Sequence, residues 1–189
     1  MACVGALRTF GAPAPLTLVV RPQLSTDMSI CKECGIDHPI EDLELSFRRA
    51  DVVAELSTEE IASRVQENKD LCVLDGERFF IRSLLPLAVE ERDLPYNIGL
   101  WVEVSQRTFE RVYELWDDSD QANEPAFAAH IANDIPSHMS TIGLAATISL
   151  TGPTTRPIIT LLEAAHPLVS EQRSGITAHR AAQYSSLFA

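Results

Sequence analysis

The residues best suited to a definite chemistry in this sequence are two cysteines and a histidine near its N-terminal end. Cys31 and Cys34 have two residues between them, Gly35 follows directly, and His38 comes four positions after the second cysteine. Thiolate and imidazole groups are preferred ligands of zinc, and a glycine lets the chain turn tightly enough for them to converge on one ion. The spacing therefore predicts a small zinc knuckle, with zinc as the cofactor.

A closed zinc site needs a fourth ligand, and the local motif supplies only three. Cys72 is the best candidate for the fourth position, and His166 is the other candidate. Cys72 lies in a predicted β-hairpin beside apolar residues, however, which also suits a cysteine that is part of the core. The cysteine pair itself has two other interpretations, since such pairs also occur as redox centres and as inert thiols.

A second group of polar residues lies near the C-terminal end. His166, Glu171 and Gln172 stand between a predicted strand and a predicted final helix. Side chains of these types can satisfy backbone groups of a loop, which is the interpretation that we favour, or they can line the rim of a binding site. In the second case Trp101, on another predicted strand, joins them as a candidate for binding a small ligand.

The chain is strongly acidic. Among its 189 residues, 27 are acidic and 15 are lysine or arginine, which gives a formal net charge of −12. Such a surface repels the phosphates of nucleic acids, so we expect no nucleic-acid partner. The acidic side chains are concentrated in residues 110–134, where seven of them accompany one arginine. This segment predicts a docking surface for a basic protein, although a simply solvated face has the same composition.

Location and domain organisation follow from the apolar segments and the cysteines. No run approaches the roughly 18–20 apolar residues of a membrane-spanning helix, and no secretory signal is evident, so we expect no membrane association and a cytoplasmic location. The thiols are then expected to stay reduced. Residues 1–27 are predicted to be a disordered tail or an over-extended start, and residues 28–189 a single domain. The sequence leaves the oligomeric state open.

The elements that must position these residues predict an α+β fold. We expect a mostly antiparallel sheet of about five strands with three to four helices, preceded by the zinc-knuckle-like segment. Ser57 and Glu60 have the spacing of a capping box, which predicts a helix from there to about residue 68. Residues 99–104 predict a strand, and Ser105 is expected to cap the helix that follows it to about residue 116.

The clearest single element is a β-hairpin over residues 71–82. Its central Asp-Gly pair suits the two positive-φ positions of a type I′ turn. A two-residue turn would place Leu74 opposite Glu77 and Cys72 opposite Phe79. One face of the hairpin would then carry Cys72, Leu74, Phe79 and Ile81.

The second half of the chain is divided by its prolines and glycines. Residues 127–135 predict a short helix that ends at a proline. Residues 141–151 and 156–163 predict two strands joined by a Gly-Pro turn. A closing helix is expected from about residue 175 to 187.

Five segments in a fixed order carry a resemblance to a known family. They are Cys31-x-x-Cys34-Gly35-x-x-His38, Asp70 to Gly76, Phe79 to Arg82, Gly99-x-Trp101-Val102, and His166 to Ile176. On these motifs, the chain from about Ile30 to its C-terminus resembles the bacterial domain-of-unknown-function family 2199. The resemblance implies a small cytosolic bacterial protein with a metal knuckle, and it implies no activity.

The chain departs from the pattern of that family in two places. It has Ala128, Ala129 and His130 where the family tends to have Gly-Trp-Leu, and Ser83 where the family tends to have glycine. If the aromatic residue of the family lines a site, that site is altered here.

The function that these observations favour is non-catalytic. The sequence contains no Gly-x-Ser-x-Gly, no His-Glu-x-x-His, no phosphate-binding glycine loop and no dinucleotide fingerprint. We therefore expect a soluble protein-binding domain with a structural zinc knuckle, in a regulatory or immunity-like role. Two alternatives remain open. One is a small metal-dependent hydrolase with His166 or Glu171 near the cysteine–histidine site, and the other is a small-ligand binder that uses Trp101 and His166 without a metal.

Overall fold

Both helices and strands occur in the part of the chain that the computed structural model describes, residues 44–162 and 165–188. In chain order they are α1 (Asp51–Ala54), α2 (Thr58–Arg64), β1 (Val65–Glu67), β2 (Leu71–Leu74), β3 (Arg78–Leu87), β4 (Tyr96–Val104), α3 (Gln106–Glu114), β5 (Phe127–Ile131), β6 (Ala145–Ser149), β7 (Ile158–Leu161), α4 (Pro167–Ser174) and α5 (Ala178–Ser185). Short 3-10 helices cover Gln121–Asn123 and Ser186–Phe188. The predicted α+β class is confirmed, but these residues form more strands and helices than the sequence suggested.

The strands close into a barrel. Neighbours in the order β1 to β7 pair antiparallel, as predicted, but β3 also pairs in parallel with β7, where Leu84 meets Ile158. Strands β3 to β7 therefore form a five-stranded barrel, and β1 and β2 extend the sheet beyond it. The length of β3 makes this possible, because its first half pairs with β2 and its second half reaches β7. Closure joins the two edge strands over this short stretch.

The barrel interior is apolar. Alternate residues of each strand point inward, so the buried side chains come from all five strands. The largest contributions are from Ile81, Leu85, Ile98, Leu100, Val102, Ile131, Ile148 and Ile159. Ala129 also belongs to this core, and Ser83 is buried beside it with a hydroxyl that has no hydrogen-bond partner among the described residues.

The hairpin forms where it was predicted, but its register differs by one residue. Asp75 and Gly76 both have positive φ, and the Glu77 N–H donates to the Leu74 carbonyl over 3.1 Å. Glu77 nevertheless stays outside the ladder, because Leu74 pairs with Arg78. The loop therefore has one residue more than the predicted two-residue turn.

The shifted register changes which side chains share a face. Cys72 pairs with Phe80, and Phe79 pairs with Val73, so the predicted pairing of Cys72 with Phe79 is wrong. Phe79 and Ile81 enter the barrel core. Cys72 and Phe80 lie on the outer face, in a second apolar cluster that is covered by α1. A change of one residue in loop length moves every side chain of one strand to the other face.

Side-chain caps define the starts of α2 and α3. The predicted capping box is present, since the Ser57 hydroxyl accepts from the Glu60 N–H and the Glu60 carboxylate accepts from the Ser57 N–H. The Ser105 hydroxyl caps α3 by accepting from the Thr108 N–H. Helix α2 ends at Arg64, earlier than predicted, because the next three residues pair with β2 instead.

The segment predicted as a helix over residues 127–135 is wrong, because residues 127–131 form β5. Ala129 and Ile131 are buried while Ala128 and His130 are exposed, which is the alternation of a strand. Strand β5 pairs with β4 on one side and β6 on the other. These pairings override the helix propensity of the two alanines.

The C-terminal region contains two helices where the sequence suggested one. Residues 167–174, which were predicted to link a strand to a helix, form α4, with Pro167 in its first turn. Gly175 ends this helix with φ of +82°, and α5 begins only at Ala178. In the described part of the chain, no helix has both the length and the apolar character that crossing a membrane requires.

Candidate functional site

The densest group of polar side chains lies where α4, α5 and the segment between β5 and β6 meet. We call it the C-terminal polar cluster and define it as His138, His166, Glu171, Arg180 and Tyr184. His166 is the N-cap of α4 and Glu171 is on the second turn of that helix. Arg180 and Tyr184 are four residues apart on α5 and so share one of its faces. His138 comes from the segment between the two strands, so three parts of the chain contribute.

Hydrogen bonds connect the members of this cluster. Arg180 donates from Nε to Glu171 Oε1 over 2.8 Å, and its Nη2 lies 2.9 Å from His138 Nε2. The Tyr184 hydroxyl donates to Glu171 Oε2 and lies 2.5 Å from the same His138 nitrogen. The ring of His138 stacks between those of His166 and Tyr184, at centroid distances of 5.8 and 5.9 Å.

His166 has a structural role in this arrangement. Its Nδ1 accepts from the Leu168 N–H over 3.1 Å, which caps the first turn of α4. Its Nε2 is 3.1 Å from the Met139 carbonyl, to which it donates as the neutral tautomer. His166 therefore holds α4 against the segment between β5 and β6, in line with the loop-satisfying role that we favoured.

Burial shapes the titration of the cluster. It lowers the pKa of His138, and Arg180 and His166 act in the same direction, while the nearby Glu171 carboxylate opposes them. Burial also raises the pKa of Tyr184, with a further contribution from its hydrogen bond to Glu171. At neutral pH the imidazole and the phenol are therefore uncharged, and one carboxylate and one guanidinium balance each other.

Gln172, the third residue of the C-terminal prediction, points away from the cluster and closes the barrel seam. Its Nε2 donates to the Ile159 carbonyl over 2.8 Å, and its Oε1 accepts from the Leu161 N–H over 2.9 Å. Both groups belong to the edge of β7 that faces away from β6. The side-chain amide thus takes the place of a neighbouring strand where β3 and β7 diverge, beside a largely apolar groove of about 620 Å³.

Trp101, which was predicted to bind a small ligand together with His166, lies on the outer face of β4. Its neighbours are not those of His166. It is buried in the second apolar cluster, and its indole N–H donates to the Phe47 carbonyl over 3.3 Å. Its backbone N–H donates to Asn133 Oδ1 over 2.8 Å. Asn133 also donates from Nδ2 to the Arg49 carbonyl and to Asp51 Oδ1, each over 2.7 Å. This amide therefore fastens the segment before α1 to the barrel.

Cys72 lies in an apolar, buried environment. It is 2% exposed in the second apolar cluster, and burial raises its pKa to about 12. Cys31, Cys34 and His38 lie outside the described residues, so their convergence with Cys72 stays a prediction. Within the described ranges, no group of three or more His, Cys, Asp or Glu side chains is placed to hold a metal ion.

A groove of about 440 Å³ lies between α1 and β5 on the outer face of the barrel. We call it the acidic groove. Its charged and titratable lining residues are Asp51, Glu55, Arg78, Glu103, His130 and Asp134, and its apolar lining includes Val52, Ala132 and Ile142. Four carboxylates against one guanidinium make the groove negative.

Some charges of the acidic groove are already engaged. Arg78 forms a two-point ion pair with Glu103, with both distances at 2.7 Å. Asp51 accepts from the Asn133 side chain and from the Asp134 N–H. Glu55 is exposed on the rim. Ile142 is 49% exposed and forms an apolar wall of the groove. Such exposed apolar surface is hydrated unfavourably.

Helix α3 adds a second acidic surface at the same end of β4. Glu103 lies in the groove, and α3 begins three residues later. Phe109 and Val112 bury the inner side of the helix. Its outer side and the turn after it expose Glu110, Glu114, Asp117, Asp118 and Asp120. The helix also carries two arginines: Arg107 is exposed, and Arg111 is paired with Glu114 and Glu124.

Sequence reasoning missed several residues that organise these sites. Tyr184 and Arg180 gave a usable signal, since their spacing places both on one face of a helix. Asn133 and His138 gave none, because their partners lie in distant parts of the chain and no local pattern relates them.

A comparison with protein families matches residues 30–176 to the family described as "Uncharacterized protein conserved in bacteria (DUF2199)". The matched range contains the cysteine–histidine motif, the barrel strands and α4, and it confirms the resemblance seen in the sequence motifs. No curated protein and no solved structure matches the chain.

Proposed function

Since the chain belongs to the bacterial family DUF2199, whose description names no activity, we propose a function from its own surface: it is a non-catalytic binding protein for a basic protein partner. The observation that carries this proposal is the acidic groove, because it combines an excess of carboxylates over guanidinium groups with an apolar wall. A lysine or arginine side chain has the matching chemistry, with a cationic head on an apolar stem.

The contacts of the groove suggest how such a side chain would lie. Its stem would pack on Val52 and Ile142, and its head would reach Glu55 and the carboxylate of Asp134. The exposed carboxylates of α3 would add long-range attraction, which raises the association rate and makes it sensitive to salt. We place this interaction in the cytoplasm, where the reduced thiols of the chain would persist.

The test is affinity capture from a bacterial lysate with matched baits. Wild-type protein is compared with Glu55→Lys in the groove and with Glu59→Lys, an exposed glutamate on α2 that is not among the groove residues. We expect a basic protein to bind the wild type and the Glu59 variant, and titration calorimetry of that purified protein to show at least about ten-fold weaker binding to Glu55→Lys, which corresponds to about 1.4 kcal/mol. Raising the salt concentration should weaken all three interactions.

A partner that binds Glu55→Lys and wild type equally would refute the groove as the binding surface. A second variant, Ile142→Ser, tests the apolar wall separately from charge. It should lower the affinity without changing the dependence on salt.

The proposal includes a structural zinc ion held by Cys31, Cys34 and His38, with Cys72 as the fourth ligand. The spacing of the first three supports it, and Cys72 is placed next to Arg49, close to the start of the described chain. Elemental analysis of protein purified without added metal should find close to one zinc per chain. Cys72→Ala should lower that content if its thiol is a ligand, and an unchanged content would leave Cys72 as a core residue.

A further inference from the structure

The C-terminal polar cluster has an unusual balance of donors and acceptors around His138. Its Nε2 lies 2.9 Å from Arg180 Nη2, which is always a donor, so this nitrogen accepts and the neutral ring carries its hydrogen on Nδ1. The Tyr184 hydroxyl has a single hydrogen, and both Glu171 Oε2 and His138 Nε2 are within its reach. The observed geometry therefore depends on an unprotonated nitrogen facing α5.

Adding a proton to that nitrogen would break this arrangement. The hydrogen bond from Arg180 would become a contact between two cationic donors, in a site where the His138 side chain is only 2% exposed. The Glu171 carboxylate, 3.6 Å from the same nitrogen, offsets part of the repulsion but already pairs with Arg180. The cluster would change from neutral to a net charge of one.

Other groups around His138 do not remove this conflict. From α4 it faces Glu171 and the ring of His166, whose Nε2 donates to the Met139 carbonyl. From α5 it faces Arg180 and Tyr184. Its own segment contributes the Met139 carbonyl, which is already used.

The packing of α5 connects the C-terminal polar cluster to aromatic residues at one end of the barrel. The Tyr184 ring stacks on the ring of Tyr96 at 5.9 Å, and the Ser185 hydroxyl donates to the Tyr96 hydroxyl over 3.3 Å. Tyr96, at the start of β4, is buried and in turn accepts from the Leu45 N–H. Movement of α5 would thus uncover aromatic surface at one end of the barrel.

We propose that the C-terminal polar cluster is a proton-controlled latch, which holds α5 on the barrel at neutral pH and releases it when His138 is protonated. The released state exposes Tyr96 and the apolar face of α5 to solvent. This inference does not depend on the acidic groove.

The direction of the pH effect follows from linkage. The pKa of His138 is lowered in the closed state, so opening α5 takes up a proton and is favoured by acid. With an open-state pKa of about 6.5, the opening equilibrium constant should rise between pH 7.5 and pH 5.5 by at most about ten-fold, the limit for a closed state that stays unprotonated over this range. The effect begins as the pH falls through about 6.5 and ends once the closed state is protonated as well.

Hydrogen exchange with mass spectrometry measures this opening in the full chain. Opening constants for α5 amides, corrected for intrinsic exchange rates at each pH, are compared for wild type, His138→Gln and His130→Gln. His130 is exposed on β5 and serves as the matched control. We expect a rise of about three- to ten-fold in wild type and in the control, and less than about a two-fold change in His138→Gln, which cannot take up the proton. Amides of β3 and β4 should show no comparable change in any of the three.

Either of two results would overturn the proposal: a wild-type α5 that opens equally at both pH values, or a His138→Gln variant that keeps the full response. If the α5 amides of His138→Gln are unprotected from exchange at both pH values, an NMR titration of the His138 imidazole in the wild type tests the proposal instead. A midpoint below about 6.5 supports the latch, and a midpoint at or above that value overturns it.

Discussion

Replacing Asn133 by alanine should be among the most destabilising single changes in the described part of the chain. The Asn133 side chain is 0% exposed and makes three hydrogen bonds, to the Trp101 N–H, the Arg49 carbonyl and Asp51 Oδ1. Its distances, 2.7 to 2.8 Å, are those of well-formed bonds. Alanine cannot replace any of them.

The expected magnitude follows from the groups left behind. A buried polar group without a partner costs about 1–3 kcal/mol. Loss of the amide removes a partner from one N–H, one carbonyl and one carboxylate oxygen, of which the carboxylate is partly reachable by water. We therefore expect Asn133→Ala to lower the free energy of unfolding by about 3–5 kcal/mol, a large share of the stability of a typical domain.

Urea denaturation at pH 7, followed by tryptophan fluorescence, measures this change. Asn133→Asp separates hydrogen bonding from packing, because it keeps the size but turns the donating nitrogen into an oxygen that faces the Asp51 carboxylate. It should be at least as destabilising as alanine. Asn123→Ala, at an exposed position in a 3-10 helix, should stay within about 0.5 kcal/mol of wild type. A loss below about 1 kcal/mol for Asn133→Ala would refute the argument from buried hydrogen bonds.

Three further predictions concern the barrel seam and the cysteines. Gln172→Ala should lower the free energy of unfolding by about 1–2 kcal/mol in the same denaturation assay. Two β7 backbone groups lose their hydrogen-bond partners, but water can reach them from the adjoining groove. An unchanged denaturation midpoint would mean that water replaces the amide fully. Cys72 should be alkylated about a thousand-fold more slowly in the native protein than in urea at pH 8, because a pKa of about 12 leaves little thiolate. Peptide mass spectrometry identifies the alkylated cysteine. Comparable alkylation rates in the two conditions would contradict the burial of Cys72. Cys34→Ser should lower the melting temperature in zinc-containing buffer, because a structural metal site contributes folding free energy directly. Calorimetry with and without a chelator measures this difference. Equal melting temperatures of variant and wild type would count against the zinc knuckle.

Local sequence signals predicted the elements that depend on neighbouring residues. The Ser57 capping box needs only side chains three residues apart, and the Asp75-Gly76 turn needs only backbone conformations that these residues favour. The helix from Gln106 was found for the same reason, because Ser105 caps it and its apolar side repeats with helical spacing.

The errors arose where distant pairing decided the outcome. Residues 127–131 became a strand because β4 and β6 offer hydrogen bonds on both sides, which no local propensity records. The hairpin register depended on one extra loop residue, Glu77, and that residue determines whether Phe79 or Phe80 enters the barrel.

The candidate sites show the same division. The sequence drew attention to His166, Glu171 and Gln172, and the structure gives each a definite partner. The sequence could not show that Glu171 joins a cluster with His138, or that the next residue, Gln172, points toward β7 instead. Adjacent residues on a helix point about 100° apart, so which neighbour each one meets depends on the packing of the helix.

By itself, the sequence determined the acidic character of the chain, the family to which it belongs, its α+β class and the starts of its capped helices. Each of these depends on composition or on contacts within a few residues. Only the tertiary structure decided that β3 closes onto β7, that Asn133 fastens the segment before α1, and that the acidic groove and the hydrogen-bonded cluster around His138 form. These features join residues that are tens of positions apart, and they form only when the whole barrel buries its apolar faces together.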